Sequence, residues 1–475
     1  MQETASKPSA SIHSAFLDLK EAVAVRRREP LAARKNRLQR LRTWILSNRE
    51  QIHRAMYADF KKPPVEVDGI ELFHVLAELR SALANLDRWA SPVKVDAPLT
   101  MLGTRSFIQY EPRGVCLIIS PWNYPFSLAV GPLVSALAAG NNVVLKPSEH
   151  TPHVSALIHT MAEAIFKPNE VVVVEGNAAV ARELLEIPFD HIFFTGSPTV
   201  DKEIMRAAAA HLASVTLELG GKSPAIVTGH AALHESARRI AVAKFVNNGQ
   251  TCVAPDYVLV DETIADAFVQ HLVQQTYDLF APEHSFEQSA SYCRIVNERH
   301  FRRLKTLLQD TVEKGATPTM LGALDEATRF FPPVILQNVP ADSPVLQEEI
   351  FGPILPVVTY KNLDDALHLI NSKQKPLALY VFTGRETEWQ KVLQETSSGG
   401  ACINDCGIQF LHHKLPFGGV NNSGIGKSHG HAGFLTFSNE KPVLKQRRGF
   451  TTVTLFYPPY TRFSKKIMDW FLKLF

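Results

Sequence analysis

An α/β fold built on two open parallel sheets is the architecture that the sequence predicts, and three observations support it. The chain has 475 residues, which suggests two or three domains at roughly 100–200 residues each. Short, fully apolar segments alternate with helical segments from Gly114 to Ser197, and a second alternating region covers 223–420. Apolar strands that alternate with helices are typical of parallel sheets covered on both faces.

Each predicted element has a local signal. Residues 11–91 are expected to be helical, because apolar side chains recur there at three- and four-residue spacing. Residues 96–113 are bounded by prolines and predict a hairpin that leaves the main body. Between the predicted strands lie helical segments, of which FSLAVGPLVSALAAG ends at Gly140. The predicted strands of the first sheet are VCLIIS, NNVVLKPSE, VVVVEG and HIFFTGS.

The composition is that of an ordinary globular protein, with 45% apolar and 20% charged residues. The net charge of +3 gives no reason to expect nucleic-acid binding, which favours strongly basic domains. The five cysteines form no C-x-x-C pair, which disfavours a disulfide framework and a cysteine-rich zinc site. Neither a secretory signal nor the run of roughly 18 apolar residues of a membrane span is present, so we expect a cytoplasmic protein.

Open parallel sheets bind their ligands beyond the carboxyl ends of their strands. The residues that follow the predicted strands are therefore the first candidates for a binding site. They are Pro121-Trp122-Asn123, Lys146-Pro147-Ser148-Glu149 and Thr195-Gly196-Ser197.

Two further residues stand in informative surroundings. Cys252 lies in NNGQTCVAPD, which indicates a helix end or a loop, where a thiol can be partly exposed and its pKa lowered. By itself the stretch also fits an inert core thiol. Glu218 in TLELGGKSPAIV follows an apolar strand and precedes two glycines, which permit tight turning. Alone, it fits a surface turn as well as a functional carboxylate.

Several partial motifs do not qualify as sites. GIGKSHG lacks the first glycine of a phosphate loop, because Asn421 stands at that position, and it misses G-x-G-x-x-G because residue 429 is His. The His412-His413 pair, His429 and His431 have no acidic or cysteine partner at metal-site spacing. We therefore expect polar loop histidines and no metal site.

Seven segments together resemble the aldehyde dehydrogenase superfamily, and they occur in that family's order along nearly the whole chain. They are PWNYP, KPSE, FTGS, LELGGKSP, GQTC, EEIFGP and LPFGGV-NSG-G. Each segment is weak alone, but the combination is very specific. The short N-terminus and the KPSEH and SHG forms look most like the family 3 branch, which includes fatty and aromatic aldehyde dehydrogenases.

The resemblance implies the aldehyde dehydrogenase fold, with two Rossmann-like open-sheet domains and a small β-hairpin oligomerisation element. It also implies a homodimer. The implied division is a cofactor-binding domain of residues 1–95 and 114–222, a catalytic domain of 223–420, an oligomerisation element of 96–113 and 421–450, and a C-terminal amphipathic helix within 451–475.

The resemblance also implies a catalytic role for three residues. Cys252 is the nucleophile, whose thiolate attacks the aldehyde carbon to form a thiohemiacetal. The side-chain amide of Asn123 and the backbone N–H of Cys252 hold the oxyanion. Hydride loss to the nicotinamide leaves a thioester, and Glu218 activates the water that hydrolyses it. The implied activity is NAD(P)-dependent oxidation of hydrophobic aldehydes, medium- or long-chain aliphatic or aromatic, to carboxylic acids.

The implied cofactor residues lie at several strand ends. Glu349 and Phe351 match positions that hold the nicotinamide ribose and ring, and Lys146 and Glu149 match those at the adenosine ribose. A carboxylate at Glu149 would repel a 2′-phosphate, which predicts NAD in preference to NADP, with NADP as a second cofactor. The remaining candidates are Trp122, Thr195, Gly196 and Ser197.

The chain departs from the family pattern at three positions. Asp201 stands where a glycine is common, and adds negative charge near a phosphate site. Gln409 stands where the branch often has His, and Asn421 where Gly is usual. None of these belongs to the catalytic set, so the departures concern cofactor affinity and substrate-side geometry.

The segment 463–475, FSKKIMDWFLKLF, is apolar over about half of a helix surface. Our preferred interpretation is a tail helix packed on its own subunit or on a partner. The alternative is peripheral membrane contact through Phe463–Phe475.

Two other functions compete with the preferred one. A coenzyme-A-acylating dehydrogenase would use a thiol in place of water, but that branch usually lacks the base that Glu218 provides. A non-catalytic structural relative is disfavoured because Asn123, Glu218 and Cys252 occur together.

Overall fold

The computed structural model describes residues 10–98, 101, 103–283, 285–449 and 451–473. The α-helices are Ala10–Arg28 (α1), Leu31–Ser47 (α2), Arg49–Phe60 (α3), Pro64–Glu66 (α4), Phe73–Trp89 (α5), Ser127–Ala139 (α6), Pro152–Ile165 (α7), Ala178–Leu185 (α8), Pro198–His211 (α9), Leu233–Phe245 (α10), Ala265–Phe280 (α11), Glu298–Glu313 (α12), Pro344–Gln347 (α13), Leu363–Asn371 (α14), Glu386–Glu395 (α15), Gly430–Thr436 (α16) and Arg462–Leu472 (α17).

The β-strands are Val93–Val95 (β1), Arg105–Pro112 (β2), Val115–Ile119 (β3), Asn142–Lys146 (β4), Val171–Val173 (β5), His191–Thr195 (β6), Ser214–Glu218 (β7), Pro224–Val227 (β8), Tyr257–Asp261 (β9), Thr317–Met320 (β10), Val334–Gln337 (β11), Ile354–Tyr360 (β12), Ala378–Phe382 (β13), Gly400–Ile403 (β14), Gly424–Ile425 (β15) and Ser438–Lys445 (β16). They form three sheets.

The first sheet has the strand order β15-β7-β6-β3-β4-β5. Its strands run parallel except β15, which pairs antiparallel with β7. Successive side chains of a strand point to opposite faces. Accordingly, Cys116 and Ile118 of β3 join the core that includes α2, α3, α5, α6 and α7, whereas Val115 and Leu117 join the core beneath α1, α8 and α9. Because helices cover both faces, every residue of β3 is buried.

The second sheet has the strand order β10-β11-β12-β9-β8-β13-β14 and is parallel apart from the edge strand β10. Separate apolar clusters pack on its two faces. The connection from α10 to β9 carries the Cys252 segment, so the thiol lies just before a central strand of this sheet. The predicted α/β fold with two open sheets is confirmed.

The third sheet is a small antiparallel one of order β1-β2-β16. Strand β16 pairs with β2 along its whole length, from Ser438 opposite Pro112 to Lys445 opposite Arg105. This element differs from the predicted boundaries, because β1 belongs to it although it was placed with residues 1–95. Conversely, β15 and α16 lie with the first sheet and its helices, although they were placed with 421–450. A strand of two residues is too short to show a periodicity in the sequence.

The chain ends in a helix that lies on the surface. Helix α17 begins after Thr461, whose side chain accepts a hydrogen bond from the N–H of Ser464. Phe463, Trp470 and Leu472 are exposed. The predicted helix extended to Leu474 and Phe475, which lie outside the described residues. Among the helices that the structure describes, none combines the length and apolar character that a membrane crossing requires.

Candidate active site

The carboxyl end of the first sheet and the amino end of the second border one cavity of about 450 Å³. This volume lies within the range of roughly 300–1,000 Å³ that is usual for small-molecule sites. The cavity is lined by ten of the residues that the sequence singled out, namely Pro121, Trp122, Asn123, Thr195, Gly196, Ser197, Glu218, Cys252, Glu349 and Phe351. Lys146 and Glu149 lie outside this lining at the end of β4, where their side chains form an ion pair of 3.0 Å.

A tight turn aims Cys252 into the cavity. After α10, the backbone of Asn247, Asn248 and Gly249 is left-handed, with φ values of 53°, 53° and 71°. Asparagine and glycine tolerate this conformation better than other residues. A Cβ on Gly249 would collide with the carbonyl of Gly352, so the close approach of the two segments requires glycine.

Buried side-chain amides hold this turn in place. Gln250 donates to the carbonyl of Asn247 at 2.9 Å and to that of Arg294 at 3.1 Å, and its Oε1 accepts from the N–H of Val296 at 2.9 Å. The sequence expectation of a helix end or loop at Cys252 is therefore correct.

The amide of Asn123 is fixed from both sides. Its Nδ2 donates one hydrogen bond to the carbonyl of Gln250 at 3.0 Å. Its backbone carbonyl accepts from Asn247 Nδ2 at 2.8 Å and from Lys62 Nζ at 3.0 Å. Since a primary amide has two N–H donors, the bond to Gln250 leaves a second donor for a ligand in the cavity.

The ammonium of Lys62 is one contribution that the sequence did not indicate. Lys62 is fully buried and pairs with Glu71 at 2.8 Å. The other oxygen of Glu71 accepts from the backbone N–H groups of Phe126 and Ser127, at the start of α6. This ion pair therefore ties Asn123 to the helical layer. Its two members are separated from Asn123 by about fifty residues or more, so no local motif could have shown the contact.

Glu218 ends β7 and is only 4% exposed, which excludes a surface turn. Burial raises the pKa of its carboxyl group to about 7, while a hydrogen bond from the Ser428 hydroxyl and the nearby Lys427 ammonium act in the opposite direction. Removing a carboxylate from water disfavours its charged form, which is the physical cause of the rise. The carboxyl group can thus gain and lose a proton close to neutral pH.

The Cys252 thiol has a raised pKa, contrary to the sequence expectation. Cys252 is partly exposed to the cavity, but protein atoms surround the sulfur. Burial, followed by the neighbouring carboxyl groups of Glu349 and Glu218, raises its pKa to about 12, although the backbone N–H groups of Cys252 and Val253 oppose the rise. The expectation of a lowered pKa is wrong because a local sequence shows neither how deeply the folded chain buries the sulfur nor which distant carboxyl groups come near it.

Glu349 and Phe351 form the opposite wall. Burial raises the pKa of Glu349 to about 8. A Cβ on Gly220 would overlap the carboxyl group of Glu349. The link between β7 and β8 can therefore pack against Glu349 only because residue 220 is glycine. Trp122 meets Phe351 edge-to-face at 5.3 Å and meets His300 at the same distance. His300 of α12 is a cavity residue that the sequence did not indicate, since no motif surrounds it.

The cleft beside β6 suits a dinucleotide. A Cβ on Gly196 would collide with the ring of Phe194, so the turn at the end of β6 requires glycine at this position. Helix α9, of 14 residues, begins directly after Ser197. The free N–H groups and the positive end of the dipole at such a terminus favour a phosphate. Asp201, in the first turn, places a buried carboxylate near the same position, as the sequence indicated.

His429 is not the exposed loop residue that the sequence predicted. It is 8% exposed, and its ring lies 4.6 Å from that of His74. His74, Glu78 and His429 are all buried, and one ligand-type atom of each lies within 4.8 Å of the others. His74 and Glu78 precede His429 by some 350 residues, so the spacing around His429 could not show the cluster. The other histidines, His412, His413 and His431, are at least partly exposed, as expected.

Two of the three departures from the family pattern have a local explanation. Asn421 has φ 54°, a conformation that asparagine tolerates where glycine is usual, and its side chain accepts from Lys375 Nζ at 2.9 Å. Gln409 donates to the hydroxyl of Tyr380 at 3.2 Å.

The first sheet is open and borders the cavity at the carboxyl ends of its strands, where sheets of this kind bind dinucleotides, so the fold and the cavity indicate a dinucleotide-binding protein. Comparison with known proteins identifies the family. The sequence model of the Aldehyde dehydrogenase family matches residues 1–443, and the chain belongs to this family. It is an aldehyde dehydrogenase that uses NAD or NADP.

Individual relatives agree with this assignment. The chain is 41% identical to Aldehyde dehydrogenase family 3 member A2 of Mus musculus, over 93% of this chain and 90% of that protein. It is 42% identical to the dimeric NADP-preferring aldehyde dehydrogenase of Rattus norvegicus, over 92% of this chain and 94% of that protein. The predicted resemblance to family 3 members is confirmed.

A solved structure has the same fold. The substrate-bound state of Staphylococcus aureus AldH superposes with a TM-score of 0.92 at 40% identity, and the match covers 97% of this chain and 99% of that one.

The raised pKa of Cys252 predicts slow alkylation. In protein without added ligand, the rate of Cys252 carbamidomethylation by iodoacetamide should rise with pH across pH 7–9.5 without a plateau, since the thiolate forms only above that range. Glu349→Gln should accelerate the reaction at pH 8, because each unit by which the thiol pKa falls raises the thiolate fraction about tenfold. Peptide mass spectrometry resolves Cys252 from the other thiols.

The matched control is Glu348→Gln, which alters a neighbouring carboxylate whose side chain is 56% exposed and which does not contribute to the shift at Cys252. Its alkylation rate should equal that of the unmodified sequence. A plateau below pH 9 in the unmodified sequence would contradict the electrostatic description of the site.

Proposed function

We propose that the chain oxidises hydrophobic aldehydes, medium- or long-chain aliphatic or aromatic, to carboxylic acids through a thioester on Cys252. The observation that carries the proposal is the convergence of Asn123, Glu218 and Cys252 on one cavity, although they belong to three separate segments. Each supplies one function that this reaction needs, namely an oxyanion donor, a base and a nucleophile.

In the first step, the Cys252 thiol gives its proton to water, the sulfur forms a bond to the aldehyde carbon, and the electron pair of the carbonyl π bond moves to the oxygen, which becomes an oxyanion. The free N–H of Asn123 and the backbone N–H of Cys252 stabilise that oxyanion. The hydrogen bond from Asn123 Nδ2 to Gln250 keeps the amide in one orientation. In well-studied enzymes, a donor fixed in this way lowers the activation barrier by roughly 3–4 kcal/mol.

The cofactor residues act by binding. The start of α9, with Gly196 and Ser197, suits the pyrophosphate, and Glu349, Phe351, Trp122 and Thr195 line the inner part of the cavity. Lys146 and Glu149, at the end of β4, suit the adenosine ribose. When bound, the dinucleotide supplies the hydride acceptor.

In the last step, Glu218 takes a proton from water while the water oxygen attacks the thioester carbon and the bond to sulfur breaks. A base with a pKa of about 7 is well matched to neutral conditions. The coenzyme-A-acylating alternative needs no such base, and the non-catalytic alternative leaves the arrangement without a purpose. Both are therefore disfavoured.

The preference for hydrophobic aldehydes is supported by the apolar surroundings of the thiol. Cys252 packs against an apolar core cluster, of which Leu128 also lines the cavity. An apolar substrate chain is stabilised in such surroundings by roughly 25 cal/mol for each Å² removed from water.

The assembly that we propose is a cytoplasmic homodimer, and the dimeric rat relative supports it. The exposed apolar side chains of α17 then pack against a second copy of the chain, which is our preferred role for the tail in place of membrane contact through Phe463–Phe475. Sedimentation equilibrium tests this assembly, and a monomer at micromolar concentration would contradict it.

The nucleophile assignment predicts a complete loss of activity on one substitution. With hexanal and NAD, the protein should form NADH, and Cys252→Ala should abolish NADH formation because no other group can form the thioester. Cys402→Ala, which removes a half-buried thiol outside the cavity lining, is the matched control and should retain activity. A rate in Cys252→Ala equal to that of the unmodified sequence would refute the proposed function.

The position of Glu149 predicts cofactor preference. The ratio of kcat/KM for NAD to that for NADP should exceed one, and Glu149→Gln should lower this ratio roughly tenfold, which corresponds to about 1.4 kcal/mol. Glu163→Gln, which changes a carboxylate on α7 whose side chain is 75% exposed, is the control and should leave the ratio unchanged. Equal kcat/KM values in the unmodified sequence would exclude the role given to Glu149.

A further inference from the structure

A second, smaller cavity lies next to Glu218 and does not include Cys252 in its lining. It is enclosed by α5, α6, the end of β7 and the segment before α16, and it leaves about 20 Å³ for the centres of water molecules. Glu218 lines both this cavity and the larger one, whereas Cys252 lines only the larger one. The carboxyl group of Glu218 therefore stands between the reacting thiol and a separate buried space.

Several polar side chains border the second cavity, among apolar residues of the surrounding helices and strands. Its lining includes four buried side-chain atoms without a hydrogen-bond partner among the described residues. These are His74 Nδ1, Glu78 Oε1, Ser127 Oγ and His429 Nδ1. A buried polar atom without a partner costs roughly 1–3 kcal/mol, so four at one place indicate that something satisfies them.

Water is the ligand that fits this space. A cavity needs roughly 10–15 Å³ of this measure to hold one water molecule, and a buried water makes about three hydrogen bonds. The volume of about 20 Å³ and the four free atoms meet both requirements. His74 and Glu78 are one helical turn apart on α5, so both side chains face the same space.

Glu78 is the group in this cavity that can hold a proton near neutral pH. Burial raises its pKa to about 7, with the N–H of Gly430 acting in the opposite direction through a hydrogen bond of 2.7 Å. Burial lowers the pKa of His74 to about 4 and that of His429 well below its usual value, so both imidazoles are neutral donors and acceptors.

Other polar and charged groups near this cavity act on Glu218 and on the two imidazoles. Lys427 faces Glu218 from the segment before α16, and Ser428 donates a hydrogen bond to it. Glu78 and Glu218 have pKa values raised to about the same level, so a proton can pass between them without a large change in free energy. His413, which is partly exposed, interacts electrostatically with His74 and His429.

We propose that this cavity holds a proton relay in which Glu78, aided by His74 and His429, receives through water the proton that Glu218 removes during thioester hydrolysis. The O–H bond of protonated Glu218 breaks as its proton passes to the cavity water, and that water gives another proton to the Glu78 carboxylate. Glu218 thereby returns to its basic form without contact with solvent through the substrate cavity. The inference rests on the proposed thioester mechanism and gives Glu78 a positioning role in it.

The test separates hydride transfer from hydrolysis in Glu78→Gln. Stopped-flow mixing with hexanal and saturating NAD should show an initial burst of NADH at an unchanged rate constant, followed by a steady-state rate lowered about tenfold. This effect is smaller than the roughly 10²–10⁴-fold contributed by a group that transfers the proton directly. Glutamine can still accept from the N–H of Gly430, so the fold is preserved, and the burst amplitude counts the folded active sites.

Two further comparisons address a purely structural role. Glu78→Asp retains an ionisable group and should restore at least half of the lost steady-state rate. His429→Gln should slow the steady state, whereas His431→Gln, which replaces a neighbouring imidazole outside this cavity, should not.

An unchanged steady-state rate in Glu78→Gln overturns the relay, as does a parallel fall in burst and steady-state rates. One equivalent of a divalent cation in the purified protein, detected by elemental analysis, also overturns it, because the cation would occupy the place of the water. If Cys252→Ala loses activity while Glu78→Gln keeps full activity, the relay is rejected but the thioester mechanism is not. Full activity in Cys252→Ala rejects the thioester mechanism itself.

Discussion

The hydrogen bonds among Asn123, Asn247 and Gln250 are the contact on which the rest of the site depends. They join the carboxyl end of the first sheet to the amino end of the second, across 124 to 127 residues of chain. The left-handed turn at Asn247–Gly249 makes this contact geometrically accessible, and the buried pair Lys62–Glu71 anchors it to the helical layer. The same bonds orient the amide of Asn123, so in the mechanism that we propose the contact between the domains and the geometry of the oxyanion donor have one origin.

Desolvation links the remaining chemical properties. The same enclosure that raises the pKa values of Glu218 and Glu349 toward neutrality also raises that of the Cys252 thiol. For Glu218 the rise suits the proposed role, since a base must exchange protons near neutral pH. For the thiol it is unfavourable in the isolated chain, and a cationic group bound beside the sulfur would stabilise the thiolate. In the mechanism that we propose, activation of the nucleophile therefore depends on what binds there, whereas the base can already exchange a proton.

The sequence predicted most of the fold because its strands are short, apolar and separated by helical patterns. Residues at strand ends, such as Trp122 and Thr195, could be found in this way, since topology places them together. Contacts between distant segments could not be found. Lys62 and His74 look like ordinary helical residues, and only the packing of α5 and its neighbours on the first sheet reveals what they face. The predicted direction of the pKa shift at Cys252 was wrong for the same reason.

The central claim is that Cys252 forms the thioester and Glu218 hydrolyses it, so trapping that species tests the claim most directly. Glu218→Gln mixed with hexanal and NAD should form NADH once per active site, and acid quenching followed by peptide mass spectrometry should find one hexanoyl group on the peptide that contains Cys252. An unmodified Cys252 in a sample that has formed one equivalent of NADH would contradict the account.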